Sequence, residues 1–269
     1  MTTTWTSRSK AELPTGLAAR LAFRAGLDVP STVGVAPGFV QANLVVLPRA
    51  DAHDFLTYCL RNPKPCPLLG FSEPGRWDIP AIGADLDLRT DLPRYRVWRD
   101  GVPVDEPQNV AALWRDDLVG FALGCSYSFD DVLAEAGIRL RHAELGVNPP
   151  YYVTTIATTP AGRFAGPLIV SMRPLSGADA IRAVLVTARC PHAHGAPVHL
   201  GDPAAIGIDL QRPDGGTELP LEAGETPVFW ACGVTPETAI RHARPAFCIT
   251  HMPGAMLLTD LRNSAMALP

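Results

Sequence analysis

Three prolines in five positions, Pro63, Pro65 and Pro67, place the tightest local constraint on this chain. Each fixes its own φ, lacks an N–H and pushes the residue before it out of the helical region, so no regular helix crosses the stretch. Arg61, Asn62 and Lys64 are thereby held at set positions on a stiff loop. That loop is either a plain connection or a place where cationic and amide side chains orient an anionic substrate with little loss of entropy.

Around this loop the periodicities are short and change often. Helical spacing predicts a helix over residues 11–26, with Leu17, Leu21 and Phe23 among small residues and Gly26 as a stop. A second helix is expected over about residues 50–60. Tyr95 to Trp98 alternates towards Val102 and Val104 across Arg99-Asp100-Gly101, which reads as a hairpin. An apolar run at 118–125 suits a buried strand, followed by a helix to Ala136 that Ser128 or an aspartate caps and Gly137 ends. Residues 151–157 and 168–172 are strand-like, with Pro160-Ala161-Gly162 turning between them. A helix over 178–188 is expected to present Ile181, Val184 and Leu185 on its apolar face. Strands at 198–200, 228–232 and 247–250 and a helix at 236–243, capped by Thr235, complete the chain. Hairpins mixed irregularly with helices predict a mixed α+β (α/β) fold, a mixed-sheet sandwich lobe with a second, smaller α+β lobe, and exclude a regular barrel or repeat array. The larger lobe is expected from residues 1–120 plus 230–269 and the smaller from 121–229.

Composition narrows the function classes. Apolar residues make up 47% and charged residues 19%, the mixture of a folded globular chain. The formal charge of −4 comes with scattered basic residues, which argues against a nucleic-acid partner. No run approaches the roughly 20 apolar residues of a membrane span. The polar stretch Met1 to Lys10 carries no export signal, so a cytoplasmic protein is expected, with a homodimer as the default assembly. Six cysteines without Cys-x-x-Cys spacing read as reduced core residues. Nucleotide, nicotinamide and zinc-protease signatures are absent.

Three further loops carry candidate chemistry. Gly124-Cys125-Ser126-Tyr127-Ser128-Phe129 joins a buried strand to a helix, so the hydroxyls of Ser126 and Ser128 would meet backbone amides at a helix start, where anions bind. Cys125 there is a candidate nucleophile if its pKa is lowered; otherwise the serines cap and the cysteine packs. The stretch from Cys190 to Pro203 sets His194, His199 and Asp202 among prolines and glycines, as acid–base groups, as ligands for a divalent metal, or as loop-stabilising hydrogen-bonders. His251 follows a strand, where ligands of open sheets gather, or it is a satisfied structural histidine.

Several blocks resemble the hydro-lyase family to which mitochondrial D-glutamate cyclase is related. They include Pro37-Gly38-Phe39-Val40-Gln41-Ala42-Asn43, Gly124 to Phe129, Pro160-Ala161-Gly162-Arg163-Phe164, Ser171-Met172-Arg173-Pro174, Phe229-Trp230-Ala231-Cys232-Gly233 and Ile249-Thr250-His251, within residues 37–261. Cys190 and His192 depart from the family pattern. The resemblance implies a lyase that removes water from a small dicarboxylic amino or hydroxy acid, with cyclisation of D-glutamate to 5-oxo-D-proline as the lead reaction and no cofactor. Arg163 and Arg173 would then clamp carboxylates, alongside Arg61, Asn62, Lys64, Ser126 and Ser128. Two alternatives stay open: a metal-assisted hydrolase or lyase, and a non-catalytic protein that binds a small acid.

Overall fold

The computed structural model describes residues 12–268. The stretch Met1 to Lys10, read above for export, lies outside them.

Two sheets organise the chain, and every pairing in both is antiparallel. The mixed α+β class is borne out, and among the described residues there is neither a barrel nor a parallel strand pair. The first sheet is built on β1 (Phe39–Pro48), which pairs β5 (Leu118–Gly124) from Ala42↔Gly124 to Pro48↔Leu118. Its other edge is shared by β10 (Cys248–His251) and β11 (Leu257–Arg262). Outward from these lie β2 (Leu68–Phe71), β3 (Tyr95–Arg99) and β4 (Val102–Asp105). The β3–β4 hairpin turns at Asp100 and Gly101, both at positive φ, as a primed two-residue turn requires. The second sheet runs β6 (Tyr151–Ala157), β7 (Pro167–Ser176), β9 (Glu225–Ala231) and β8 (His199–Leu200).

Alternation explains how each sheet is covered on both faces. Val45 and Leu47 of β1 point to one side, against Phe55, Tyr58 and Cys59 of α2 (Arg49–Arg61). Ala42, Leu44 and Val46 point to the other, against Ile79, Ile82, Leu86 and Leu88 of the excursion between β2 and β3. In β9, Val228 and Trp230 face α3 (Tyr127–Glu135) and α5 (Gly177–Ala188), while Phe229 and Ala231 face Ile206, Ile208 and Leu219.

The sheets are tied by an exchange of helices. Strand β5 belongs to the first sheet, yet α3, which follows it, buries Phe129 and Leu133 in the core of the second. Strand β9 belongs to the second sheet, yet α6 (Thr235–Ala243) buries Ala239, Ile240 and Ala243 in the core of the first. Both strand-to-helix turns therefore sit where the sheets meet.

Two helices turn a different face inward from the one their sequence suggests. On α1 (Gly16–Arg24), Ala19, Arg20 and Phe23 are buried, and Leu17 and Leu21 are exposed. A Cβ on Gly16 would lie 1.9 Å from the Thr259 carbonyl oxygen, so the helix rests directly on β11 through its smallest residues. On α5 the buried residues are Ala180, Ala183 and Thr187, while Ile181 and Leu185 stay about two-thirds exposed at 67% and 66%. Close approach selects alanine over the larger side chains. The predicted caps also shift. Ser128 lies inside α3, where its hydroxyl accepts from the Gln41 N–H at 2.9 Å. Thr235 opens α6 but donates to the Cys232 carbonyl oxygen at 2.7 Å and accepts from the Ile169 N–H at 3.0 Å, stitching α6 to β7.

One glycine fixes the junction. A Cβ on Gly124 would come within 1.6 Å of the His192 carbonyl oxygen, a backbone atom that cannot swing away. Gly124→Ala is expected to destabilise the fold by about 3 kcal/mol, the upper part of the range for overpacking, read as a lowered urea midpoint. A midpoint equal to that of the parent protein contradicts this packing.

Candidate active site

A cavity of about 160 Å³ lies between the two strand-to-helix turns. It is below the roughly 300–1,000 Å³ of pockets for drug-sized molecules, which suits a small metabolite. The first sheet contributes Asn43 from β1, Arg96 from β3 and His251 from β10; the second contributes Tyr151 from β6 and Ser171 from β7. The turns supply Cys125, Ser126 and Tyr127 on one side and Cys232, Gly233 and Val234 on the other. Gly233 is required there, since a Cβ would meet the Asn43 amide at 2.0 Å.

Behind this wall sits Arg173, 1% exposed. It donates two bonds of 3.0 Å to Asp130, whose Oδ2 also meets His142 Nε2 at 3.0 Å. Burial pushes the Asp130 carboxyl up, but the charge of Arg173 and the bonds from His142 and Arg173 outweigh it and hold the group below its usual range. The same guanidinium donates to Ser171 Oγ at 2.7 Å and to Ser126 Oγ at 3.1 Å. Among the described residues neither serine side chain donates to a protein acceptor, so both hydroxyl protons remain for a ligand.

His251 is 2% exposed and its Nε2 has no hydrogen-bond partner among the described residues. Its Nδ1 lies 3.2 Å from the Leu44 amide nitrogen and 3.3 Å from the Leu44 carbonyl oxygen, so the backbone accommodates either neutral tautomer. Burial drives its pKa down to about 4, opposed by the Leu44 bond and assisted by the Arg96 charge. His251 is a cavity-lining residue whose ring stays neutral at neutral pH, so its Nε2 carries either a proton or a lone pair. Arg96 pairs with Glu237 at 3.1 Å and Glu106 at 3.1 Å. Asn43 spends its amide N–H groups on the Leu123 and Gly124 carbonyls, leaving Oδ1 without a protein partner.

Of the residues singled out from sequence, Cys125, Ser126 and His251 line this cavity, and Arg173 supports it. The others take different places. His194 is buried and does not line the cavity, with Nδ1 2.6 Å from the Lys64 carbonyl oxygen; burial lowers its pKa to about 4. His199 and Asp202 stand at the edge strand β8, where His199 Nε2 meets the Asp202 carbonyl at 2.7 Å and the Asp202 carboxylate accepts from the Ala204 N–H at 3.0 Å. Arg61 donates to the Pro160 carbonyl at 2.6 Å, Asn62 to Tyr58 and Thr159, and Lys64 to the Ala196 carbonyl at 2.5 Å. The proline loop is therefore a clasp between two neighbouring turns. Arg163 pairs with Asp51, away from the cavity, and Ser128 bonds β1. Cys125 has its pKa raised, not lowered: burial pushes it up to about 12. Among the described residues no group of three or more His, Cys, Asp or Glu is placed to hold a metal ion, so His194, His199 and Asp202 do not assemble as a ligand set. Asn43, Arg96, Ser171 and Cys232 are cavity residues that sequence reasoning missed.

The depressed histidines make the fold acid-sensitive. An unfolded histidine titrates near 6.5, and folded His251 and His194 near 4. Between those values the unfolded chain binds more protons, so acidification through this window removes stability, on the order of 3 kcal/mol per histidine. Asp131, raised to about 6 by burial, acts in the opposite sense, since acid relieves its cost. The expected result is read by difference: His194→Gln flattens the fall of the urea midpoint between pH 6.5 and 4 relative to the parent protein. Identical slopes would refute it.

The fold and site define a two-sheet α+β protein with a small cavity that polar side chains from both sheets line. The profile of the family described as D-glutamate cyclase matches residues 119–260. A Bordetella pertussis protein named "Putative hydro-lyase" is 62% identical, covering 94% of this chain and 91% of its own. A Bradyrhizobium diazoefficiens protein of the same name is 59% identical over 93% of this chain and 92% of its own. Among solved structures, a nitrogen repressor-like protein from Methanococcus jannaschii aligns with TM-score 0.39 and 12% identity over 87% of this chain and 91% of that one. The chain belongs to the D-glutamate cyclase family and is a hydro-lyase. No helix among the described residues is long and apolar enough to cross a membrane.

Proposed function

We propose that this lyase closes D-glutamate to 5-oxo-D-proline with loss of water. The carrying observation is that His251, whose Nε2 has no hydrogen-bond partner among the described residues, lines the same cavity as two serines that Arg173 pins. Arg96 receives the α-carboxylate, with its own charge balanced by Glu237 and Glu106. The side-chain carboxyl lies against Ser126 and Ser171. The free amine attacks its carbon, a C–N bond forms, and the hydroxyl protons of the two serines hold the oxyanion. His251 Nε2 relays two protons in turn: the first passes from the ammonium to the side-chain carboxylate, which frees the amine and makes a hydroxyl, and the second passes from the attacking nitrogen to that hydroxyl, which leaves as water. No side chain changes its net protonation over the cycle. We place the enzyme in the cytoplasm, a compartment that suits its unpaired cysteines.

The test is an NMR time course with D-glutamate and, separately, with L-glutamate. An initial rate of 5-oxoproline ring-signal appearance far higher from the D form than from the L form is expected. No product from either enantiomer would end the D-glutamate assignment and leave the hydro-lyase class standing.

A further inference from the structure

The cyclisation above uses neither thiol of the cavity. Cys125 and Cys232 occupy equivalent places in the exchanged turns, one at the end of β5 in the first sheet and one just past β9 in the second. Each precedes a helix of nine residues and sets its sulfur towards the N–H two residues ahead, Tyr127 for Cys125 and Val234 for Cys232. Each backbone N–H at these positions is tied across to a neighbouring strand, Cys125 to the Gln41 carbonyl at 3.0 Å and Cys232 to the Ile169 carbonyl at 2.9 Å. Both thiols are free, both line the cavity, and they are close enough to influence each other electrostatically. His251, a cavity-lining residue 2% exposed whose Nε2 has no hydrogen-bond partner among the described residues, is a further polar group at this space.

We propose that Cys125 and Cys232 are a two-base pair for the α-carbon of the bound amino acid, so that this cavity also exchanges the α-proton with solvent and interconverts the two enantiomers. The proposal rests on the reading that the cavity takes a small dicarboxylic α-amino acid. In the working form one sulfur is a thiolate and the other a thiol. The thiolate takes the α-proton, and the C–H electron pair spreads into the α-carboxyl group as an enediolate. The opposite thiol then gives its proton to the other face of the carbon. One C–H bond has broken, one has formed, and the sulfurs have exchanged roles with no oxidant or cofactor. The helix N-termini favour the thiolate and the charge that passes between them.

Burial sets the pH range of this chemistry. It pushes Cys125 up to about 12 and Cys232 up to about 11. The charged and titrating groups around the thiols do not reverse this: Arg173 from β7 lowers both, Asp130 of α3 raises Cys125, and Glu237 of α6 raises Cys232. Tyr127 stays protonated well above its ordinary value, His251 stays neutral, and Arg96 is paired with Glu237 and Glu106. The singly ionised pair therefore grows about tenfold per pH unit from neutrality towards pH 10.

The experiment incubates the full chain in D₂O with D-glutamate, L-glutamate, D-aspartate and L-aspartate. It follows the α-proton by NMR and the enantiomers by chiral chromatography. The expected result is loss of the α-proton signal from at least one pair, deuterated opposite enantiomer as product, and a rate rising about tenfold between pD 8 and 9. Cys125→Ser and Cys232→Ser should each slow racemisation by about 100-fold or more, while each retains exchange of one enantiomer only, and not the same one. A purely structural thiol would not separate the enantiomers in this way. If either variant fails to fold, the wild-type exchange still decides. Intact α-protons on all four acids overturn the proposal, as does exchange that persists in the folded double variant. Cyclisation without deuterium at the α-carbon overturns it and leaves the cyclase reading; exchange without cyclisation does the reverse.

Discussion

Replacing Arg173 with methionine is expected to cost about 3–5 kcal/mol of stability, the usual penalty for breaking a buried ion pair by removing one partner. It should also cost about 100-fold or more in 5-oxoproline formation, by analogy with the loss of an oxyanion-hole donor. The side chain is fully enclosed, with its guanidinium 4.9 Å from the Phe129 ring centre and 5.5 Å from that of Trp230. Without it the Asp130 carboxylate keeps only His142 as a charged or polar partner from its side-chain network. The serines lose the donor that turns their protons towards the cavity. Lysine is no substitute, because a point charge cannot reach both Asp130 oxygens and both hydroxyls at once. The double change Arg173→Met with Asp130→Leu separates the two effects. Removing both charges should recover much of the urea midpoint, while turnover stays low because Ser126 and Ser171 remain unheld. A single Arg173→Met variant with the parent midpoint would show that the buried network contributes little.

This network shows why the site was only partly legible in the sequence. Cys125, Ser126 and His251 stood out because each sits where a strand ends, and strand ends are where side chains leave the core. Asn43, Arg96 and Ser171 lie inside strands, where alternation assigns a residue to a face and says nothing about whether that face meets apolar packing or a cavity. The cavity exists only because α3 and α6 cross to the opposite sheets, and periodicity carries no record of such an exchange. One signal was available. Ala231-Cys232-Gly233 before a helix repeats the strand, cysteine and small-residue order of Gly124-Cys125-Ser126, which marks Cys232 as a counterpart of Cys125. The histidine-rich loop drew attention for the opposite reason. Its prolines and glycines serve turn geometry, with His194, Gly195, Gly201 and Gly207 all at positive φ. Strands were better marked, since β5, β6, β7 and β9 each carry a run of apolar, aromatic or β-branched residues. The inward faces of α1 and α5 were hidden because the contact uses glycine and alanine, which hydrophobic periodicity weighs lightly.

His251→Gln is expected to reduce turnover by about 10²–10⁴-fold, the range for removing a positioned acid–base group, without unfolding the protein. The glutamine amide fits the same polar strand end but does not accept and return a proton. His194 provides the matched control. It is equally enclosed, at 1% exposure, its pKa is also driven down to about 4, and its Nε2 also lacks a partner. It differs in position, because it bonds the Lys64 carbonyl oxygen and does not line the cavity. His194→Gln should therefore change the acid sensitivity of the fold and leave turnover within a few-fold of the parent. Equal losses of turnover from the two substitutions would mean that burial, rather than access to the cavity, governs both histidines, and the assignment of proton transfer to His251 would fall.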